Sequence, residues 1–221
     1  MRVGLFGGTF NPIHCGHLRA AEEIRESFRL QKLYLIPAAL PPHKDLKHVI
    51  SATDRVEMVR LAIQDYPEFI LSDVELKRSG PSYTVDTVQA FQNQLEPGSD
   101  LFLIMGLDAF LEIDTWKSYG RLVQMLPIIV MARPIQGNTP TRTEWSDMTQ
   151  LIHSQISDSY QYSDEKCCYV HKRYQPIHRH SSRMLDISAT NIRQLVRQKR
   201  SIRFLVPRSV ENYILKQGIY T

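Results

Sequence analysis

A short apolar run, Val3-Gly4-Leu5-Phe6, is followed at once by a glycine-rich turn and then by an amphipathic stretch. No other feature constrains the chain so tightly. The run reads as a buried strand over residues 2–6. Residues 16–30 read as a helix, with Leu18, Ala21, Ile24 and Phe28 on one face and Arg19, Glu22, Glu23, Arg25 and Glu26 on the other. Between them stands Gly7-Gly8-Thr9-Phe10-Asn11-Pro12-Ile13-His14-Cys15-Gly16-His17. Such a strand–turn–helix corner aims backbone N–H groups and a helix N-terminus at one point, which suits an anion such as phosphate. Its glycines allow close approach of a ligand or a positive φ. His14 and His17 add donors whose charge changes near physiological pH. The spacing matches neither the dinucleotide fingerprint nor the P-loop.

The alternation continues down the chain. Residues 33–36 form a second strand, stopped by Pro37, and the intervening helix makes the two strands parallel. Residues 53–65 make an amphipathic helix capped by Thr53 or Asp54, and residues 69–73 a third strand. After the break at Gly80-Pro81, Ser82 or Thr84 caps a helix running to Leu95. Leu101-Phe102-Leu103-Ile104-Met105 is apolar throughout, as a central strand covered on both faces should be. Residues 127–131 add another strand, and residues 184–187 the last. The sum is an α/β fold: an open, mostly parallel sheet with helices on both faces and a small C-terminal helical part over 207–221.

Such sheets bind ligands at the carboxyl edge of their strands. Four groups fall on that edge: the glycine–histidine turn, Lys44 beyond the second strand, Gly106 with Asp108, and the helix start from Ser188 to Arg193. A cation in a helix's first turn opposes the helix dipole, so Arg193 makes best sense as a bidentate clamp on phosphate. Asp108 reads either as a helix cap or as a holder of a ligand hydroxyl or amine. Trp116 reads either as half-buried packing or as a stacking platform for a flat ring. Together the groups describe a nucleoside triphosphate site.

With 221 residues, 43% hydrophobic and 23% charged, the chain suits one globular domain: a core over about 1–135 and 181–206, and an excursion over 136–180 where the patterning degrades. The formal net charge of +4 suits anionic small substrates and falls short of a nucleic-acid-binding stripe. Arg197, Lys199, Arg200, Arg203 and Arg208 read as a solvated basic face. Cys15, Cys167 and Cys168 make a poor disulfide framework, and no apolar run is long enough to span a bilayer, so a cytoplasmic protein is expected. Cys167, Cys168, His171, His178 and His180 lack the spacing of a zinc site.

At this point the chain resembles a known family. Gly8-Thr9-Phe10-Asn11-Pro12-Ile13-His14-Cys15-Gly16-His17 resembles the first signature of the adenylyl/cytidylyltransferase superfamily, and Ile187-Ser188-Ala189-Thr190-Asn191-Ile192-Arg193 resembles its second. Pro41-Pro42-His43-Lys44, Glu75-Leu76-Lys77-Arg78, Pro81-Ser82-Tyr83-Thr84, Gly106-Leu107-Asp108 and Thr115-Trp116 resemble segments of the bacterial nicotinate-nucleotide adenylyltransferases. The resemblance implies a Rossmann-like fold and adenylyl transfer from ATP to nicotinate mononucleotide, giving deamido-NAD and pyrophosphate, with Mg²⁺ on the ATP phosphates and no metal ligand among the side chains. It implies catalytic roles for His14, His17, Lys44 and Arg193. ATP would meet Gly8, Thr9, Phe10, His14, His17, Gly106, Asp108, Ile187, Ser188 and Arg193. The mononucleotide would meet Thr9, Phe10, Lys44, Thr84, Trp116 and Lys117. A monomer or homodimer without nucleic-acid or membrane partners is expected. Nicotinamide mononucleotide or phosphopantetheine as acceptor, a nucleotide-binding regulator and an RNA-binding protein are the alternatives. The chain departs from the family pattern at Asn11, where Asp is usual, at Lys44, where some members have Arg, and at Lys117, where an aromatic can stand.

Overall fold

The computed structural model describes residues 1–40, 49–132, 142–181 and 185–221. The chain runs β1 (Arg2–Gly8), α1 (Cys15–Ser27), β2 (Lys32–Pro37), α2 (Ala52–Ile63), β3 (Phe69–Leu71), α3 (Thr84–Gln94) and β4 (Asp100–Gly106). It continues with α4 (Leu107–Phe110), α5 (Tyr119–Met125), β5 (Ile128–Ala132) and α6 (Arg142–Leu151). Then come β6 (Gln161–Ser163), β7 (Cys168–Val170), β8 (Ile177–Ser181), α7 (Ala189–Arg197) and α8 (Arg208–Gln217).

The strands form one sheet in the order β3-β2-β1-β4-β5-β8-β7-β6. Pairing is parallel from β3 to β8 and antiparallel across β8, β7 and β6. The period of two along each strand sorts its side chains between two cores. On β4, Phe102 and Ile104 join a core built with α1, α2, α7 and α8. Leu101, Leu103 and Met105 join the other, built with α3, α5 and α6. Both faces are buried, so the central strands read as unbroken apolar runs. The order of strands reverses between β1 and β4, and the crevice beyond their carboxyl ends is where such sheets take ligands. Gly7, Gly8 and Gly106 end those two strands.

Several elements differ from the sequence reading. The segment over 136–180 is no excursion where it is described: Met148, Ile152, Tyr160, Tyr169 and Ile177 are all core residues. Its strand β8 lies beside β5 in parallel, with Ile128 opposite Ile177 and Ala132 opposite Ser181. The strand was hidden because it reads Ile-His-Arg-His-Ser. Tertiary partners accommodate those polar groups. His178 meets the edge of the Phe28 ring at 5.2 Å, and Arg179 lies over the rings of Tyr162, Tyr169 and Trp145 at 4.1, 4.7 and 5.3 Å.

The last strand expected over 184–187 is absent from the described part of that stretch: Leu185 to Ile187 belong to no strand, and Leu185 is exposed. The cap of α2 is Ser51, whose Oγ accepts the Asp54 N–H at 3.0 Å, rather than Thr53 or Asp54. Neither Ser82 nor Thr84 caps α3. Tyr83 stands at that position, and Ser82 Oγ instead accepts the N–H groups of Ala39 and Leu40.

Candidate active site

The turn after β1 is held in shape by its own side chains. Phe10 is buried with a φ of 47°, and its ring lies over Gly8. A Cβ on Gly8 would stand 2.8 Å from the ring, so only glycine lets the aromatic fold back. The Phe10 ring meets His17 edge-on at 5.2 Å, and His17 stacks on His14 with centroids 3.6 Å apart. Gly16 makes room for this pair, since a Cβ there would press on His14 Nδ1.

The two histidines form a reciprocal cap on α1. His14 Nδ1 accepts the His17 N–H, and His17 Nδ1 accepts the His14 N–H, both at 3.3 Å. A nitrogen that accepts cannot carry the hydrogen, so the neutral form of each ring bears it on Nε2. The cap therefore sets the tautomer of both rings. The first turn of α1 contains no acidic residue, which leaves its positive dipole end uncompensated by the helix itself.

Three distant elements grip the same turn. Arg193, in the first half of α7, donates through Nη1 to the carbonyl of Asn11 at 2.8 Å and through Nη2 to Thr190 Oγ1 at 3.1 Å. The hydroxyl of Tyr220 donates to Asn11 Oδ1 at 2.7 Å. Burial pushes the Tyr220 phenol well above the usual tyrosine range, outweighing the lowering by Arg193 and Arg55, so it remains a donor. Arg55 on α2 is 1% exposed and donates to the carbonyls of Thr9 (2.8 Å), Ala39 (3.2 Å) and Ile50 (3.3 Å). Its burial lowers the guanidinium pKa, with Tyr220 and Glu75 partly opposing the shift.

A cavity of about 340 Å³ opens beyond the carboxyl ends of β1, β2 and β4. Of the residues expected at the site, Gly8, Thr9, Gly106 and Asp108 line it from the two strand ends, and Thr84, Trp116 and Lys117 from the far side. Trp116 is half-buried, and Asp108 is exposed in the first turn of α4, its side chain folded back over Gly106. Lys117 pairs with Asp86 at 3.0 Å and lies 4.6 Å from the centre of the Tyr83 ring. Phe10, His14, His17, Ile187, Ser188 and Arg193 are not part of that lining. His14, His17 and Arg193 gather instead around the turn. Lys44, with the rest of its Pro-Pro-His-Lys segment, lies outside the described residues.

The sequence reading missed two groups here. Arg55 stands with Met58, Val59 and Ala62 on the apolar face of α2, and a lone arginine on an apolar stripe was the available signal. Glu75 is 7% exposed and lines the cavity, linked to the buried Thr87. Among the described residues, no three His, Cys, Asp or Glu side chains form a metal-binding group, and no helix is long and apolar enough to cross a membrane. The cysteines Cys15, Cys167 and Cys168 are free thiols.

A sequence model of the cytidylyltransferase-like family matches residues 5–195. The chain is 46% identical to a probable nicotinate-nucleotide adenylyltransferase of Desulfatibacillum aliphaticivorans, over the whole of both chains. It is 41% identical to one of Geotalea daltonii, over all of this chain and 98% of that one. Among solved structures it resembles the nicotinic acid mononucleotide adenylyltransferase of Plasmodium falciparum complexed with NaAD, with a TM-score of 0.71 at 16% identity over 99% of this chain and 97% of that one. A putative nicotinate-nucleotide adenylyltransferase from Vibrio parahaemolyticus gives a TM-score of 0.58 at 15% identity, over 99% and 94% of the two chains. These structures share the fold, and the relatives are similar in sequence over essentially their full length. The chain belongs to the nicotinate-nucleotide adenylyltransferases, a branch of the cytidylyltransferase-like family.

Proposed function

We propose that this chain transfers the adenylyl group of ATP to nicotinate mononucleotide, giving nicotinate adenine dinucleotide and pyrophosphate in NAD biosynthesis, and that the turn and the cavity divide the two substrates between them. The observation that carries the division is the Arg193–Asn11 hydrogen bond, which brings the second signature onto the first beside the cavity.

The triphosphate lies against the N-terminus of α1. His14 and His17 present Nε2–H donors to the phosphates, and the backbone of Thr9 and Phe10 completes the cradle. Arg193 and Lys44 hold the pyrophosphate end. Gly8, Gly106 and Asp108, which line the cavity from the strand ends, border the adenosine together with Ile187 and Ser188, so the two substrates meet at that end of the cavity. The mononucleotide enters the cavity with its ring on Trp116 and its carboxylate toward Thr84 and Lys117. A phosphate oxygen of the mononucleotide attacks the α-phosphorus in line. The bond from that phosphorus to the bridging oxygen breaks, and pyrophosphate leaves with the electron pair. No covalent enzyme intermediate forms. The protein's work is positioning and charge neutralisation, the usual division of labour in such transfers.

The donor set fits a cation that arrives on ATP rather than one caged by the chain. Asn11 offers an amide where a carboxylate would attract metal, and its Oδ1 already accepts from Tyr220. Mg²⁺, which keeps waters and binds substrate phosphates, suits such a site and would shield their charge. The single sheet supports one nucleotidyltransferase domain, and a cytoplasmic location belongs to the same reading.

The test is pyrophosphate release from ATP with nicotinate mononucleotide, compared with nicotinamide mononucleotide. Faster release with the acid is expected. Equal rates, or preference for the amide, sink the acceptor assignment.

A further inference from the structure

The cavity holds a buried carboxylate, on Glu75, that the roles above leave unused. Among the described residues its lining carries three carboxylates, on Glu75, Asp108 and Glu112, against one ammonium, on Lys117. That ammonium is itself paired with Asp86 at 3.0 Å. An acidic cavity opposes a phosphate-bearing ligand unless the part that enters it is positive. Nicotinate mononucleotide has such a part. Its ring nitrogen is bonded to the ribose, so the pyridinium is a fixed cation at every pH.

Asp108 and Glu112 are exposed, and solvent screens them. Glu75 is not: it is 7% exposed and sits in the turn after β3. Thr87 Oγ1 accepts from Arg78 Nη2 at 2.7 Å and donates to Glu75 Oε1 at 2.6 Å. The hydroxyl has one hydrogen, and Glu75 Oε1 at 2.6 Å takes it ahead of the Tyr83 carbonyl at 3.4 Å. Oε1 is thereby fixed as an acceptor. Oε2 has no hydrogen bond among the described residues. Glu75 is one of the residues that line the cavity. Arg78 reaches the carboxylate only through the hydroxyl, and the buried Arg55 acts on it through space. These cations offset part of the cost of burying the carboxylate, and a cationic ligand in the cavity would offset more of it.

We propose that Glu75 is a specificity-determining residue whose carboxylate faces the pyridinium cation of the bound mononucleotide. The proposal rests on the assignment of this cavity to nicotinate mononucleotide. It explains why a site for a substrate named as an acid is lined with acids: the carboxylate selects the ring, and the Thr84 and Lys117 side receives its substituent. The plainer role, a staple between the β3 turn and α3, needs only an acceptor for the Thr87 hydroxyl. Gln at position 75 supplies that acceptor without the charge.

The experiment measures inhibition of the full-length enzyme, competitive with nicotinate mononucleotide, by two ring probes. One is 1-methylnicotinate, with a quaternary ring nitrogen, and the other is nicotinate, whose ring is uncharged at neutral pH. The unaltered protein should bind the quaternary probe roughly tenfold more tightly, the scale of one partly screened charge pair. Glu75→Gln should lose that preference and raise KM for the mononucleotide by about the same factor, with kcat changed less than about twofold. Equal binding of the two probes by the unaltered protein overturns the proposal, whether or not the variant folds. So does a preference that survives in Glu75→Gln. Failure of the unaltered protein to turn over nicotinate mononucleotide with ATP instead removes the functional assignment beneath it.

Discussion

The guanidinium of Arg193 donates to the backbone carbonyl of Asn11 at 2.8 Å, across 182 positions of sequence. One side chain thus ties the helix start of the second signature to the turn of the first. Arg193→Lys keeps the charge and loses the planar fork. It should lower kcat/KM for ATP by about 10²-fold, the scale of one preorganised charge-stabilising group. Steady-state kinetics at saturating mononucleotide check this, and an unchanged kcat/KM removes Arg193 from the site.

His14 serves the helix and, in the proposed mechanism, the phosphates. The two roles separate by substitution. His14→Ala should destabilise the protein by about 1 kcal/mol through loss of an N-cap. His14→Ser restores a capping oxygen and should recover most of that stability. Neither variant restores the Nε2–H donor, so turnover should stay down about 10²-fold in both. Thermal unfolding beside kcat reads the two effects, and recovery of activity by Ser would show that the ring acts as a cap alone.

Arg55 bonds the carbonyls of Thr9, Ala39 and Ile50. Arg55→Met keeps the buried stem and removes the donors. A fully buried carbonyl left unpaired costs about 1–3 kcal/mol; these three belong to half-buried residues that water partly reaches, so the total loss should be about 1–3 kcal/mol. Because Thr9 belongs to the turn, KM for ATP should rise as well. Denaturant titration and kinetics on the same preparation test both, and a stability loss below about 0.5 kcal/mol would contradict the geometry.

His178 and His180 predict the acid response. Burial pushes both pKa values below the ordinary histidine range, with Arg2 lowering His178 further and Glu23 partly opposing the shift at His180. A depressed folded pKa means that the unfolded chain binds more protons as pH falls. Stability from these groups is therefore complete above the unfolded value of about 6.5 and is lost as pH drops through it toward the folded values. Replacing both residues with Gln should flatten the fall in Tm between about pH 7 and pH 5. An equally steep fall in the double variant assigns acid sensitivity elsewhere.

The alternation of β1, α1, β2 and α2 was legible because each element carries its own period. The turn was legible because glycine and histidine at fixed spacing have few chemical uses. β8 was not. Its Ile-His-Arg-His-Ser sequence is polar by composition, and it becomes an inner strand only because Phe28 and Phe102 flank His178 while three aromatic rings enclose Arg179. The expected strand over 184–187 failed for the converse reason. Apolar residues there suggested a strand, yet β8 already occupies the place beside β5.

The sequence by itself determined the strand–turn–helix corner, the parallel α/β plan and the two signatures, since each depends on residues close together in the chain. The tertiary structure alone decided that Arg193, Tyr220 and Arg55 converge on one turn, and that Glu75 is buried beside the cavity. Burial and partnership of a polar side chain are properties of the elements packed around it. Those elements come from every part of the chain, so no local pattern records them.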